Sequence, residues 1–130
     1  MDVVITSGDP TLMTQASTWW HFSQAARSDS WRVRHLAAQN SQCPPQVLVQ
    51  LANDRYLDVR YAVAENPNCP EAAFALLARD DNHGVRRAVA RNSHCPPPVL
   101  RQLERDRSEL VRAAAARPSK PNLRQKMALA

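Results

Sequence analysis

The residues with the clearest capacity for chemistry are arginines and aspartates that recur every 26 residues along the chain. Each arginine follows a valine, and the aspartates keep step with the arginines. The two series are Arg34, Arg60, Arg86 and Arg112, and Asp54, Asp80 and Asp106. A row of guanidinium groups can bind phosphates, and the planar guanidinium is equally suited to carboxylates. Because the two series share one period, we predict a structural ladder of ion pairs rather than a phosphate site.

Three cysteines, Cys43, Cys69 and Cys95, keep the same interval, and each directly precedes a proline. Equivalent positions in stacked helical units lie roughly 8–10 Å apart, whereas a disulfide needs Cα atoms within roughly 7 Å. The C-x-x-C spacing that is typical of zinc sites is missing from the sequence. We therefore predict no disulfide, no metal and no cofactor, and we interpret the cysteines as small side chains that fill turns.

Catalytic motifs are not recognisable in the sequence. The four histidines, His21, His35, His83 and His94, have no evident partners for a catalytic triad. The sequence contains neither a phosphate-binding glycine loop nor an H-E-x-x-H motif. These observations predict a protein that is not an enzyme.

The repeated residues belong to a unit of two short helices, of which residues 54–79 are one copy. Asp54 is the expected N-cap of the first helix, because a short carboxylate accepts hydrogen bonds from free N–H groups. Val59 and Val63 follow at helical spacing and predict one apolar face. Asn66 is expected to end this helix in the left-handed conformation, which asparagine tolerates.

The second helix of the unit is expected to open at Pro70, since proline suits the first position of a helix. Phe74 and Leu77 form its apolar face. In the first unit the expected core positions include Val33 and Leu36. No stretch alternates apolar and polar residues for long enough to predict a strand, apart from a weak signal at residues 3–5, so the sequence predicts an all-α protein.

Helix pairs this short cannot bury their apolar faces alone, so copies at a fixed period are expected to stack into a solenoid with a continuous core. We predict one repeat domain over residues 1–130. Its terminal units are expected to differ from the others, because each has a neighbouring unit on one side and solvent on the other. Its parts are a capping half-repeat at 9–27, full repeats at 28–53, 54–79 and 80–105, and a degenerate repeat at 106–130.

The pattern D-x4-V-R-x-A-V-A-x-N-x-x-C-P-x3-L-x-x-L resembles the leucine-rich repeat variant family over residues 28–121. In that family an α-helix alternates with a 3-10 helix, and the units stack into a right-handed superhelix. The resemblance implies a right-handed α-solenoid, with one segment of each unit either α or 3-10. HEAT-like repeats are the alternative fold. One family member carries an iron–sulfur domain with clustered cysteines, but this chain has no cysteine before Cys43, so that feature does not carry over.

The net charge of +5 is unevenly distributed. Residues 1–79 carry six Lys and Arg against seven Asp and Glu, whereas residues 80–130 carry eleven against five. Such an asymmetry indicates either an anionic partner or an ordinary solvated surface. No run approaches the roughly 20 apolar residues that cross a membrane, and the N-terminus lacks the basic start and apolar core of a secretory signal. We expect a cytoplasmic protein without a membrane partner.

Positions that vary between copies carry the functional hypothesis, because stacking does not fix them. Columns on the first helices contain Tyr, Trp and Arg, the residue types enriched at binding hot spots. The expected partner-binding residues are Trp31, His35, Tyr61, Arg87, Arg91 and Arg117. A competing interpretation packs Trp31 under the N-terminal cap beside Trp19 and Trp20.

Three functions fit these features. The first is a protein-interaction scaffold whose partner is unknown. The second is binding of a nucleic-acid backbone through the basic half, with Arg87, Arg91, Arg101, Arg105, Arg117 and Lys120. The third is a HEAT-like enzyme fragment of the base-excision kind, although no acidic residue is recognisably placed beside an aromatic cleft. We favour the protein-interaction scaffold.

Overall fold

The computed structural model describes residues 10–116, with side chains described from residue 18 onward. Arg117, Lys120 and the second helix expected from about residue 122 lie outside the described residues. The described part contains eight helices and no strand. In chain order the helices are α1 (Pro10–Ala26), α2 (Trp31–Gln39), α3 (Pro45–Leu51), α4 (Leu57–Glu65), α5 (Glu71–Leu77), α6 (His83–Arg91), α7 (Pro97–Leu103) and α8 (Glu109–Ala115).

The helices form two layers with the 26-residue period that the sequence predicts. The first helices of the units, α2, α4, α6 and α8, pack side by side, each against the next. The second helices, α3, α5 and α7, contact the first helix of their own unit and that of the following unit. The prediction of an all-α helical repeat is thus confirmed. Between residues 10 and 116 both helices of each unit are α-helical, so the 3-10 segment that the resemblance allowed is not found there.

The core lies between the two layers and runs through all the units between residues 26 and 115. Val59, Val85 and Val111, equivalent residues of three successive units, are completely buried. Leu77 is 1% exposed in the second layer. Burial of one such aliphatic side chain stabilises a fold by about 1.5–3 kcal/mol, and each of the three units between residues 28 and 105 contributes several of them.

The first unit departs from the expected core. Val33 and Leu36 were expected to be buried, but they are 39% and 65% exposed. The reason is their place at the end of the first-helix layer. The first helices of the later units, α4, α6 and α8, each pack against the first helix of the preceding unit. No such helix precedes α2, so this side of α2 is exposed. Upstream of α2 the chain forms α1, a single helix of 17 residues that packs on α2 and α3. Phe22 of α1 packs against the core cluster.

The helix ends correct two further expectations. Asp54 is not an N-cap: α4 has Tyr56 as its N-cap, and Asp54 accepts a hydrogen bond from the Tyr56 N–H at 2.9 Å in a turn before the helix. Asn66 does not adopt the left-handed conformation; its φ of −67° and ψ of 128° are those of extended backbone. None of the described non-glycine residues has a positive φ. The asparagine must therefore have another role, which its side-chain contacts reveal below.

Candidate binding face of the first helices

The arginine and aspartate columns meet along one edge of the first-helix layer. Arg34 Nε donates to Asp54 Oδ2 at 2.7 Å, and Arg60 Nε donates to Asp80 Oδ2 at 2.7 Å. Arg86 Nε donates to Asp106 Oδ2 at 2.9 Å. In each pair the Nη2 group also approaches the second carboxylate oxygen, so the contact is bidentate. Each pair spans 20 residues and joins one unit to the next.

The same arginines also bind backbone carbonyls through Nη1. The acceptor lies six residues before the arginine: Arg60 Nη1 donates to the Asp54 carbonyl at 2.8 Å, and Arg112 Nη1 to the Asp106 carbonyl at 2.7 Å. Asp54 therefore accepts hydrogen bonds from Arg34 at its carboxylate and from Arg60 at its backbone carbonyl. Because the donors of Arg34, Arg60 and Arg86 are engaged within the fold, these three groups are not free to bind phosphates. Arg112 is exposed, and among the described residues it makes the carbonyl bond alone.

The electrostatics of Asp106 reflect this pairing. Burial, the largest single influence, raises the pKa of Asp106. Hydrogen bonds from Arg86 and from the backbone of Ser108, together with the charges of Arg86 and Arg107, outweigh burial and lower the pKa below its ordinary value. The ionised carboxylate is thus the form that the folded chain favours.

A second column of contacts joins the units through asparagine. Asn66 is 2% exposed, and its Nδ2 donates to the carbonyls of Ala38 at 2.7 Å and Asn40 at 3.0 Å, both in the preceding unit. Asn92 repeats this pattern one unit later, with acceptors on Ala64 and Asn66. The buried side chain satisfies carbonyls that end the preceding first helix, which explains why asparagine recurs there without left-handed backbone.

The variable positions meet in a groove between α4 and α6. Its volume is about 340 Å³, and its lining residues are Tyr61, Glu65, Gly84, Arg87, Ala88, Arg91 and Asn92. The pKa of Tyr61 is raised, chiefly by hydrogen bonding to Glu65 and further by burial and by the negative charge of Glu65. The positive charges of Arg91 and Arg87 oppose this shift. Three of the residues expected to bind a partner, Tyr61, Arg87 and Arg91, thus line one groove.

The two arginines of the groove differ from those of the ladder. Arg87 and Arg91 are exposed and lie four residues apart on α6. The ion pairs found among residues 18–116 are the three of the ladder, and neither Arg87 nor Arg91 takes part in them. These guanidinium groups are therefore available to a ligand.

Trp31 and His35 belong to an aromatic cluster at the upstream end of the layer. The Trp31 ring stacks on Tyr56 at 5.8 Å between centroids, and His35 meets Trp31 edge-on at 6.1 Å. Arg32 lies over the Trp31 ring, and Arg55 lies over the Tyr56 ring. The structure thus divides the expected binding residues between this cluster and the groove, whereas Arg117 lies outside the described residues.

Sequence reasoning missed Tyr56 as a member of this cluster. A departure from the repeat could have revealed it. The equivalent N-cap positions of the other units hold Ser30, Asn82 and Ser108, which are common capping residues, whereas tyrosine is not a common capping residue. The competing interpretation placed Trp31 beside Trp19 and Trp20. Instead, its ring contacts run to Tyr56 and His35, while Trp19 and Trp20 are 51% and 57% exposed.

The three cysteines are buried free thiols. Burial raises the pKa of Cys43 and of Cys69 to about 12. The thiols of Cys69 and Cys95 each donate to the carbonyl of the following proline at 3.8 Å. Among the residues that the structure describes, no group of three or more His, Cys, Asp or Glu side chains is placed to hold a metal ion.

The basic residues of the nucleic-acid alternative are spread over several elements. Arg87 and Arg91 lie on α6, Arg101 lies on α7 in the other layer, and Arg105 follows the end of α7. No helix in the described part of the chain is both long and apolar enough to cross a membrane.

Comparison with known proteins supports the fold. A family model described as leucine rich repeat variant matches residues 31–55 and 83–108. Neither the curated proteins nor the solved structures gave a match. The first matched segment contains α2 and α3, and the second contains α6 and α7, so each covers the two helices of one unit. Both segments are thus similar to leucine rich repeat variant repeats, and the family resemblance of the sequence pattern is confirmed.

Proposed function

We propose that this chain is a single repeat domain that works as a non-enzymatic scaffold and binds a protein partner on the first-helix layer. The observation that carries the proposal is the contrast between constant and variable positions. The ladder and the asparagine column recur and are engaged within the fold. The groove residues differ from unit to unit and are exposed at Tyr61, Arg87 and Arg91.

The chemistry of the groove supports a protein partner. Tyrosine and arginine combine large contact area with directional hydrogen bonds, and they are enriched among interface residues whose truncation costs more than about 2 kcal/mol. Tyr61 is 40% exposed, so its ring offers apolar contact area to a partner. A partner side chain can therefore pack on the ring and pair with the guanidinium groups opposite.

The test is capture of a partner from nuclease-treated lysate by the intact chain and by single variants. Tyr61→Ala and Arg87→Ala should each reduce capture strongly. Arg101→Ala is the matched control, because it removes the same charge from an exposed position on α7. Equal capture by all four proteins would show that the partner binds elsewhere or that there is none.

Nucleic-acid binding is the second candidate, and the exposed pair Arg87 and Arg91 favours it. Even if four cations, Arg87, Arg91, Arg101 and Arg117, met phosphates on one duplex, the salt slope would be about −3.6, because each contact contributes about −0.9. Binding would then be weak and largely lost at physiological salt. Fluorescence anisotropy with labelled duplex and single strand between about 50 and 200 mM salt tests this. Micromolar binding that survives the higher salt would overturn the scaffold proposal, and undetectable binding at the lower salt would exclude this candidate.

A further inference from the structure

Arg87 and Arg91 form a like-charged pair on successive turns of α6. Such pairs at i and i+4 destabilise a helix, so stability does not account for this one. Stacking does not require it either, because the equivalent positions hold His35 with Gln39 in one unit and Tyr61 with Glu65 in another. The pair is therefore a local feature of the third unit, and it faces the groove between α4 and α6.

The opposite wall of the groove leaves both arginines available. Glu65 is the one carboxylate among the lining residues, and its interaction with the Tyr61 hydroxyl is the largest cause of the raised pKa of Tyr61. Glu65 makes no ion pair with either arginine in the described part of the chain. The groove thus presents two cations without an ion-pair partner and one carboxylate on the other wall. This charge pattern suits an anionic ligand with two negative groups.

The spacing of the pair selects the kind of ligand. Four residues of α-helix rise by about 6 Å. In an extended peptide, side chains two residues apart point to the same side and lie about 6.6–6.8 Å apart. A guanidinium group binds a carboxylate through two parallel hydrogen bonds. An extended segment lying along α6 can therefore place one carboxylate on Arg87 and the carboxylate of the residue two positions further along on Arg91.

We propose that the groove between α4 and α6 binds an extended acidic peptide segment with Asp or Glu at alternate positions. This inference rests on the proposed function, because it names the chemistry of the partner at the same site. A nucleic-acid duplex fits less well, since affinity for a duplex comes largely from the number of phosphates that cations neutralise, and three of the four ladder arginines are already engaged with aspartates.

The experiment compares two blocked pentapeptides of identical composition, Ser-Glu-Ser-Glu-Ser and Ser-Glu-Glu-Ser-Ser. Each is titrated into the isotope-labelled full chain, and NMR shifts are followed at the arginine Nε–H groups and at the backbone of α6. We expect the alternating peptide to bind about two- to fivefold more tightly than its isomer, which corresponds to one additional exposed ion pair. The shifts should centre on Arg87 and Arg91.

Variants assign the contacts. Arg87→Ala and Arg91→Ala should each weaken binding of the alternating peptide about two- to fivefold and remove the preference between the isomers. Glu65→Gln should strengthen binding, because it removes the one negative charge that lines the groove. Arg101→Ala should leave both affinities unchanged. All four substitutions are at exposed positions, and the amide spectrum of each variant shows directly whether it is folded.

Several outcomes would overturn the inference: no shifts on α6, equal affinity for the two isomers, equal weakening by Arg101→Ala, or tighter binding of a duplex or single strand at the same residues. Failure of this inference is distinguishable from failure of the proposed function. If the peptides do not bind but partner capture still depends on Tyr61 and Arg87, the scaffold proposal stands and the acidic ligand is wrong. If capture is also independent of both residues, both proposals fail.

Discussion

The side chain of Asn66 should be among the most important polar groups for stability, and the chain contains its own control. Asn66 and Asn40 occupy equivalent positions 26 residues apart. Asn66 is 2% exposed and makes three hydrogen bonds: two from Nδ2 to carbonyls of the preceding unit, and one that Oδ1 accepts from the Asn68 N–H at 2.8 Å. Asn40 is exposed, and among the described residues its side chain accepts a bond from the Gln42 N–H at 2.8 Å.

The expected magnitudes follow from these bonds. Each intramolecular hydrogen bond contributes about 0.5–1.5 kcal/mol, and a buried partner left unsatisfied adds a further penalty. Asn66→Ala removes three bonds and leaves the carbonyls of Ala38 and Asn40 without this donor, so it should lower the free energy of unfolding by about 2–4 kcal/mol. Asn40→Ala removes one exposed bond and should cost less than about 1 kcal/mol. Because both sites have extended backbone, alanine adds no strain at either.

Urea unfolding of the wild type and of both variants measures the difference, with a common slope showing that the unfolding transition is unchanged. Asn92→Ala provides a replicate, since Asn92 makes the same pair of Nδ2 bonds to the unit before it. Asn66→Asp keeps the shape but puts a carboxylate against two carbonyl oxygens, so it should destabilise at neutral pH and recover in part in acid. If Asn40→Ala and Asn66→Ala lower the free energy of unfolding by amounts that agree within about 0.5 kcal/mol, the contacts between units do not provide the stability that we attribute to them.

Three other predictions concern the core, the thiols and the ladder. Leu77→Ala should cost about 2–5 kcal/mol through lost burial and the cavity left behind, whereas Leu76→Ala, at a position 42% exposed, should change stability by less than about 0.5 kcal/mol; similar losses would disprove the assigned helix face. Since burial raises the pKa of Cys43 and Cys69 to about 12, a thiol reagent at neutral pH should react with them only as the chain opens, and elemental analysis should find no stoichiometric metal; fast labelling of the native chain or bound zinc or iron at one per chain would contradict this. The pKa of Asp106 is lower in the folded chain than when unfolded, so its stabilisation is present above the ordinary Asp pKa of about 3.9 and is lost as the pH falls below it. The unfolding free energy of Asp106→Asn should therefore fall less steeply in acid than that of the wild type, and parallel curves would exclude this contribution.

The sequence by itself determined the repeat and most of its local structure. The 26-residue period required equivalent units, and apolar residues at helical spacing such as Val59 and Val63 identified the buried face. Proline marked the start of the second helices, although Pro44, Pro70 and Pro96 are the N-caps directly before them rather than their first residues. These signals are local: they depend on backbone preferences and on the spacing of side chains within one helix, and both can be read without knowing which unit lies next to which.

Only the tertiary structure decided how the recurring polar residues are used. Asp54 reads locally as an N-cap and Asn66 as a left-handed helix end, yet the first pairs with Arg34 and the second binds the carbonyls of Ala38 and Asn40. All three partners lie at least 20 residues away. Local preference cannot reveal such contacts, because stacking creates them.

The upstream end of the first-helix layer and the candidate groove depended on the tertiary structure for the same reason. Val33 carries the core signal of its repeat but is exposed, since no first helix precedes α2. Tyr61 and Arg87 were recognisable from the sequence as variable positions, but their place on facing walls of one groove follows from the packing of α4 against α6. A repeat fixes what each helix carries, and the stacking of its neighbours decides which of those side chains are buried, paired or free.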